Sequence, residues 1–118
     1  MNLAKHPYYE KMLQKDRMIP FFKGNRLICF FTFYITDDET KYINSDAWEV
    51  LEDNPNGKIC YISQLFTNKV YADRKLSYEV WHRFKKYIKS SFPTVEIISW
   101  RRWNKESETV KTYRKRIR

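Results

Sequence analysis

Glycine is nearly missing from this chain: only Gly24 and Gly57 occur in 118 residues. A loop that cradles phosphate with bare backbone needs glycine where the ligand approaches closest, so that kind of cradle is excluded from almost the whole length. Histidine and cysteine are equally scarce, with His6, His82, Cys29 and Cys60. No C-x-x-C or H-x-x-x-H spacing results, and no metal site is expected. Long apolar runs are lacking too. The longest, 27–35 and broken only by Thr32, is too short to cross a bilayer as a helix. The opening residues MNLAKHPYYEKM carry no apolar leader core. The expectation is a soluble, cytoplasmic protein whose two cysteines are buried free thiols, as suits a reducing compartment.

What is present is a packed, basic chain. Hydrophobic residues make up 42% and aromatics 18%, enough for a real core and for one domain over 1–118. The net charge of +9 is lopsided. Residues 1–67 hold 8 Lys/Arg against 9 Asp/Glu, residues 68–100 hold 7 against 3, and residues 101–118 hold 8 against 2. The excess therefore lies wholly in the second half, which points to an acidic partner, nucleic acid or acidic protein. Richness in Lys, Ile, Asn, Tyr and Phe hints at an AT-rich source such as a phage or mobile element.

The pattern along the chain is α/β. A helix is expected over 6–19, a turn over 20–25, and a strand over 26–35 that is apolar on both faces and so covered on both. A polar connection (36–46) leads to 46–53, a helical turn or short strand with Trp48 and Leu51 inward, and then to the NPNG turn at 54–57. Strand 58–66, loop 67–75, helix 76–92 and strand 95–100 form a βαβ crossover and hence a parallel pair. A basic helix is expected over 104–118, with Lys111, Arg114, Lys115 and Arg118 on one face.

The block 59–116 resembles the core of GNAT-type N-acetyltransferases, in element order, spacing and a few residues. The family's glycine loop corresponds to Tyr71-Ala72-Asp73-Arg74-Lys75-Leu76-Ser77, so its glycine positions hold Asp73, Lys75 and Ser77 here. The family's later strand, Asn and Tyr-bearing helix correspond to Trp100, Asn104 and the run 110–116. The family continues into further strands beyond the place where this sequence stops. The resemblance implies a shortened GNAT-like mixed sheet of about 4–5 strands with about three helices. It further implies an acyl donor, acetyl-CoA or acyl carrier protein, held by Gln64, Leu65, Phe66, Val70, Arg74, Lys75 and Ser77, with Tyr113 as general acid. The chain is also similar to toxin-activating lysine acyltransferases, which take their acyl group from acidic carrier protein. That likeness implies His6 as a catalytic residue, although Ser63 and Gln64 stand where those enzymes carry an Asp.

Side chains in the glycine positions crowd a backbone phosphate site, and Asp73 repels phosphate. Two expectations follow. One is a GNAT-like protein with an atypical or lost donor site, an acyltransferase if it is an enzyme. The other is a non-enzymatic module that binds nucleic acid or an acidic protein through Arg101, Arg102, Lys111, Arg114, Lys115 and Arg118. Trp100, Trp103 and Tyr113 are interleaved with these cations and suited to stacking, but no sequence-reading nucleic-acid motif accompanies them.

Overall fold

The computed structural model describes residues 6–46, 48–68 and 74–118. Its elements run α1 (Pro7–Gln14), β1 (Met18–Lys23), β2 (Arg26–Thr36), α2 (Thr40–Ile43), β3 (Ile59–Thr67), α3 (Arg74–Ser91), β4 (Ile97–Asn104) and β5 (Thr109–Arg116). The strands form one sheet in the order β1-β2-β3-β4-β5. All neighbours are antiparallel except β3 and β4, which the α3 crossover makes parallel. The expected shortened GNAT-like mixed sheet is present, with five strands and three helices.

β2 shows why the sheet has two covered faces. Its residues alternate as side chains must along a strand. Cys29, Phe31, Phe33 and Ile35 meet Val80, Phe84 and Ile88 of α3, together with Cys60 and Ile98. Phe30 and Tyr34 point the other way and pack with Tyr8 and Met12 of α1, Tyr42 of α2 and Tyr61 of β3. Tyr8 and Met12 are four apart, so one stripe of α1 is buried. Pro7 suits the first turn, and His6 caps it by accepting the Tyr8 N–H on Nδ1 at 3.1 Å.

Several expectations give way. The first helix stops at Gln14, two residues before Asp16 takes φ 58°, and Met18–Lys23, expected as the helix end and the start of a turn, is a strand because it pairs along β2. Trp48 is 47% exposed, not inward, although Leu51 packs against the α1-side core. No helix or strand forms among the described residues of 46–53, while the polar connection contains α2. The expected terminal helix is β5, antiparallel to β4 from Asn104↔Thr109 to Ile97↔Arg116. Thr109, Val110, Thr112 and Tyr113 are residue types that favour strands, and β4 offers them an open edge.

One buried ion pair ties the end of the sheet together. Arg17 grips Asp53 through Nε–Oδ2 at 2.7 Å and Nη2–Oδ1 at 3.3 Å. Asp53 also accepts the Ile35 N–H at 2.9 Å, and the guanidinium lies over the Phe92 ring at 4.9 Å. Gly57 makes a second tight point: a Cβ there would meet the Thr36 carbonyl carbon at 2.5 Å. Gly57→Ala should therefore lower stability by about 1–3 kcal/mol through overpacking against backbone. Gly24→Ala, at φ 61° with nothing within 4 Å, should cost only about 1 kcal/mol through backbone strain. Urea denaturation midpoints check both, and equal midpoints for the two variants would contradict the packing account.

Candidate functional site

The site begins with one extra residue. Between β2 and β3 the register runs Thr32↔Gln64 and then Phe33↔Ile62, so Ser63 is a bulge with no partner of its own on β2. A bulge bends a strand and increases its twist. At that same level the parallel pairing of β3 with β4 ends. It runs from Ile59↔Ile97 to Ile62↔Trp100 and no further among the described residues. β3 continues beside β2 to Thr67, and β4 continues beside β5 to Asn104. The two strands fork.

A cleft of about 650 Å³ fills the fork and runs under α3. Its wall is largely apolar, with Ile28, Cys29 and Phe31 of β2, Ile62 and Leu65 of β3, Val80 and Trp81 of α3, and Trp100 of β4. Arg101, Arg102 and Lys115 bring positive charge to the β4–β5 side. Trp100 and Trp81 meet edge to face at 5.4 Å, and the Tyr113 ring stacks on Trp100 at 5.8 Å.

The fork is buttressed from the opposite face of the sheet. Tyr8 Oη lies 2.8 Å from Thr32 Oγ1 and donates to Ser63 Oγ at 3.2 Å. Tyr9 Oη donates to Gln64 Oε1 at 2.8 Å. Burial raises the Tyr8 phenol above its ordinary pKa, with the Ser63 and Thr32 hydrogen bonds pulling the other way. Tyr8 thus stays protonated at neutral pH and remains available as a donor. Burial likewise raises Tyr9, and the neighbouring Tyr8 adds to this.

The expected site residues divide accordingly. Leu65 and Ser77 line the cleft. Gln64 and Phe66 turn to the α1 face, where Phe66 stacks on Phe30 at 5.2 Å. Val70 and the side chains of Arg74 and Lys75 lie outside the described residues. Tyr113 sits on a strand, not a helix, one strand farther from the fork than Trp100. His6 is a helix cap whose ring packs on Trp48 at 4.3 Å, and α1 lies on the far face of the sheet.

The expected one-sided row of cations does not exist, because a strand repeats every two residues rather than every 3.6. Lys111 pairs in register with Arg102, and Lys115 shares their face. Arg114 points to the other side and is bound to the buried Glu39. Arg118 donates to the carbonyls of Val95 at 2.7 Å and Lys89 at 2.9 Å. Sequence reasoning gave no site role to Tyr8, Tyr9 or Trp81. No short-range spacing links them to the fork, since Tyr8 and Ser63 are 55 residues apart.

Both cysteines are free and buried. Burial pushes the Cys29 thiol up to about 11 and raises Cys60 as well. Although Cys29 borders the cleft, its thiol stays protonated and is a poor nucleophile. Alkylation of the native protein by N-ethylmaleimide at neutral pH should be at least about a hundredfold slower than that of a free thiol. The rate for Cys29 should climb with pH toward 11, and both thiols should react fully in guanidinium. Mass spectrometry against time reads this directly, and fast native labelling of Cys29 would refute it.

Among the described residues no group of three or more His, Cys, Asp and Glu is placed to hold a metal ion, and no helix is long and apolar enough to cross a membrane. No family model matches the chain, and no curated protein matches it. Among solved structures it is similar to a "putative acetyltransferase" from Staphylococcus aureus Mu50, with a TM-score of 0.60 and 17% identity over 95% of this chain and 79% of the other. Likeness at that identity is likeness of fold. The protein has a GNAT-like fold, with a fork between its two parallel strands.

Proposed function

We propose that the protein is an acyltransferase that takes its acyl group from a phosphopantetheine thioester, carried by CoA or by acyl carrier protein. The observation that carries this reading is the fork itself: the parallel ladder stops at Ile62↔Trp100 opposite the Ser63 bulge. Beyond that point the β3 edge has lost β4 as its neighbour, and an extended arm bearing amides is suited to pair there as an added strand would. Arg102 and Lys115 supply positive charge for the donor's phosphates. They attract from the sheet side, which suits a chain whose α3 begins without the glycines of a backbone cradle.

In such a transfer the acceptor's attacking atom bonds to the thioester carbonyl carbon and gives up its proton to solvent, the C–S bond breaks, and the sulfur leaves as thiolate and takes up a proton. Two groups are candidates to supply that proton. Ser63 lines the cleft at the fork and is backed by the Tyr8 hydroxyl. Tyr113 lies one strand out, behind Trp100, so its proton has farther to travel.

Titration calorimetry tests the reading with acetyl-CoA and with acylated carrier protein. Heat with at least one donor, weakening as salt rises, is expected; no heat with either at millimolar concentration removes it. If Ser63 is the donor, Ser63→Ala should lower kcat about a hundredfold with little change in KM, while Tyr113→Phe has a small effect. The reverse outcome would restore the acid role to Tyr113.

A second reading is favoured by the β4–β5 ribbon. Every residue of β5 is exposed, and Arg102, Lys111 and Lys115 share one of its faces. The reading is a non-enzymatic module that binds nucleic acid or an acidic protein through that face. For generic DNA, log K should fall against log salt with a slope of about −0.9 for each phosphate neutralised. A flat response rules out nucleic acid.

A further inference from the structure

We infer that the acyl group accepted by this cleft is a chain of medium length rather than acetyl, an inference that rests on the thioester reading above. An acetyl group carries one methyl and is satisfied by contacts at the fork itself, beside Ile62 and Trp100. The cleft does not stop there. Its floor continues across Cys29 and Phe31 of β2, under Val80 and Trp81 of α3. The lining draws on β2, β3, β4 and β5, a width of roughly 14 Å at ordinary strand spacing. An apolar trench of that breadth, left to water, wastes burial that an alkyl chain would capture.

The chemistry is arranged end to end. Arg102 and Lys115 sit on β4 and β5 at one side, and the β2 side of the cleft presents Ile28, Cys29 and Phe31. Cations at one end and hydrocarbon at the other match an amphiphile with an anionic head and an alkyl tail. The protonated Cys29 thiol behaves in such a wall as a small apolar group. Leu65 is 56% exposed yet lines the cleft, so it stands where an entering chain would cover it.

Binding should be measured for a series of straight-chain acyl-CoA thioesters from acetyl to decanoyl, below their micellar concentrations, and repeated with the same acyl groups on carrier protein. Each methylene that enters should tighten Kd up to about fourfold, so octanoyl should bind at least about tenfold more tightly than acetyl. The carrier at which this gain occurs identifies the donor's source. Donors that all bind but show no gain with chain length would overturn the chain inference and leave the thioester reading standing. Failure of every thioester would remove both.

Leu65→Trp provides the site-specific arm. Because Leu65 is largely exposed, the variant should fold, which circular dichroism verifies, and the added ring should flatten the dependence on chain length. An undiminished slope would place the chain elsewhere and refute the inference. A bromine near the end of the octanoyl chain should also quench tryptophan fluorescence, and less so in Trp81→Phe. Equal quenching in the two proteins would count against a chain lying under α3.

Discussion

The architecture of the cleft depends on a single extra residue in β3. Strand pairing is a repeating contract, and Ser63 breaks it by having no counterpart on β2. A bulge alone is a bend that neighbouring strands can absorb. Here it is held from below by the Tyr8 hydroxyl, which reaches both Thr32 and Ser63, while Tyr9 holds Gln64. The two hydroxyls of adjacent tyrosines thus fix the strand at its irregularity and at the residue after it. β4 keeps its pairing with β5 and departs, and the space between becomes the cleft. The α1 helix, which lies on the far face of the sheet and reaches the cleft wall through the Tyr8–Ser63 hydrogen bond, is a buttress for the site.

The buried polar groups elsewhere follow the same logic of tying distant segments together. Arg17 and Asp53 connect the exit of α1, the backbone of β2 and the end of the 44–58 connection, with Phe92 packed under the guanidinium. Such pairs add little net stability compared with apolar packing, but breaking one strands a buried charge. Glu39 and Arg114 make a similar link between α2 and β5. In that pair only the carboxylate is buried, and the arginine remains more than half exposed. It anchors the edge strand to the α1 side of the sheet, and it withdraws one cation from the surface that the others share.

What could be seen in the sequence was what neighbouring residues decide. β2 announced itself through apolar residues on both faces, and α3 through Val80, Phe84 and Ile88 at helical spacing. The order strand–helix–strand implied the parallel pair and with it a GNAT-like sheet. β5 misled because Lys111, Arg114, Lys115 and Arg118 also fit helical spacing, and the deciding factor, the open edge of β4, lies outside the segment. The bulge was invisible for a related reason. Ser63 is an ordinary residue until Phe33 and Thr32 are set opposite its neighbours. Gln64, Leu65 and Phe66 read as one donor-holding run, yet alternation sends only Leu65 into the cleft.

The exposed fifth strand has a meaning beyond recognition. An edge strand presents an unused row of hydrogen-bonding groups to any other strand that drifts near. With Val110 and Tyr113 exposed on it, β5 would be a template for edge-to-edge strand pairing between copies of the chain. The exposed Lys111, Lys115 and Arg116 make two such edges repel one another at close range. Lys115, which also brings charge to the cleft, therefore serves with its neighbours on β5 as a guard against polymerisation, and neutralising it for any reason carries that second risk.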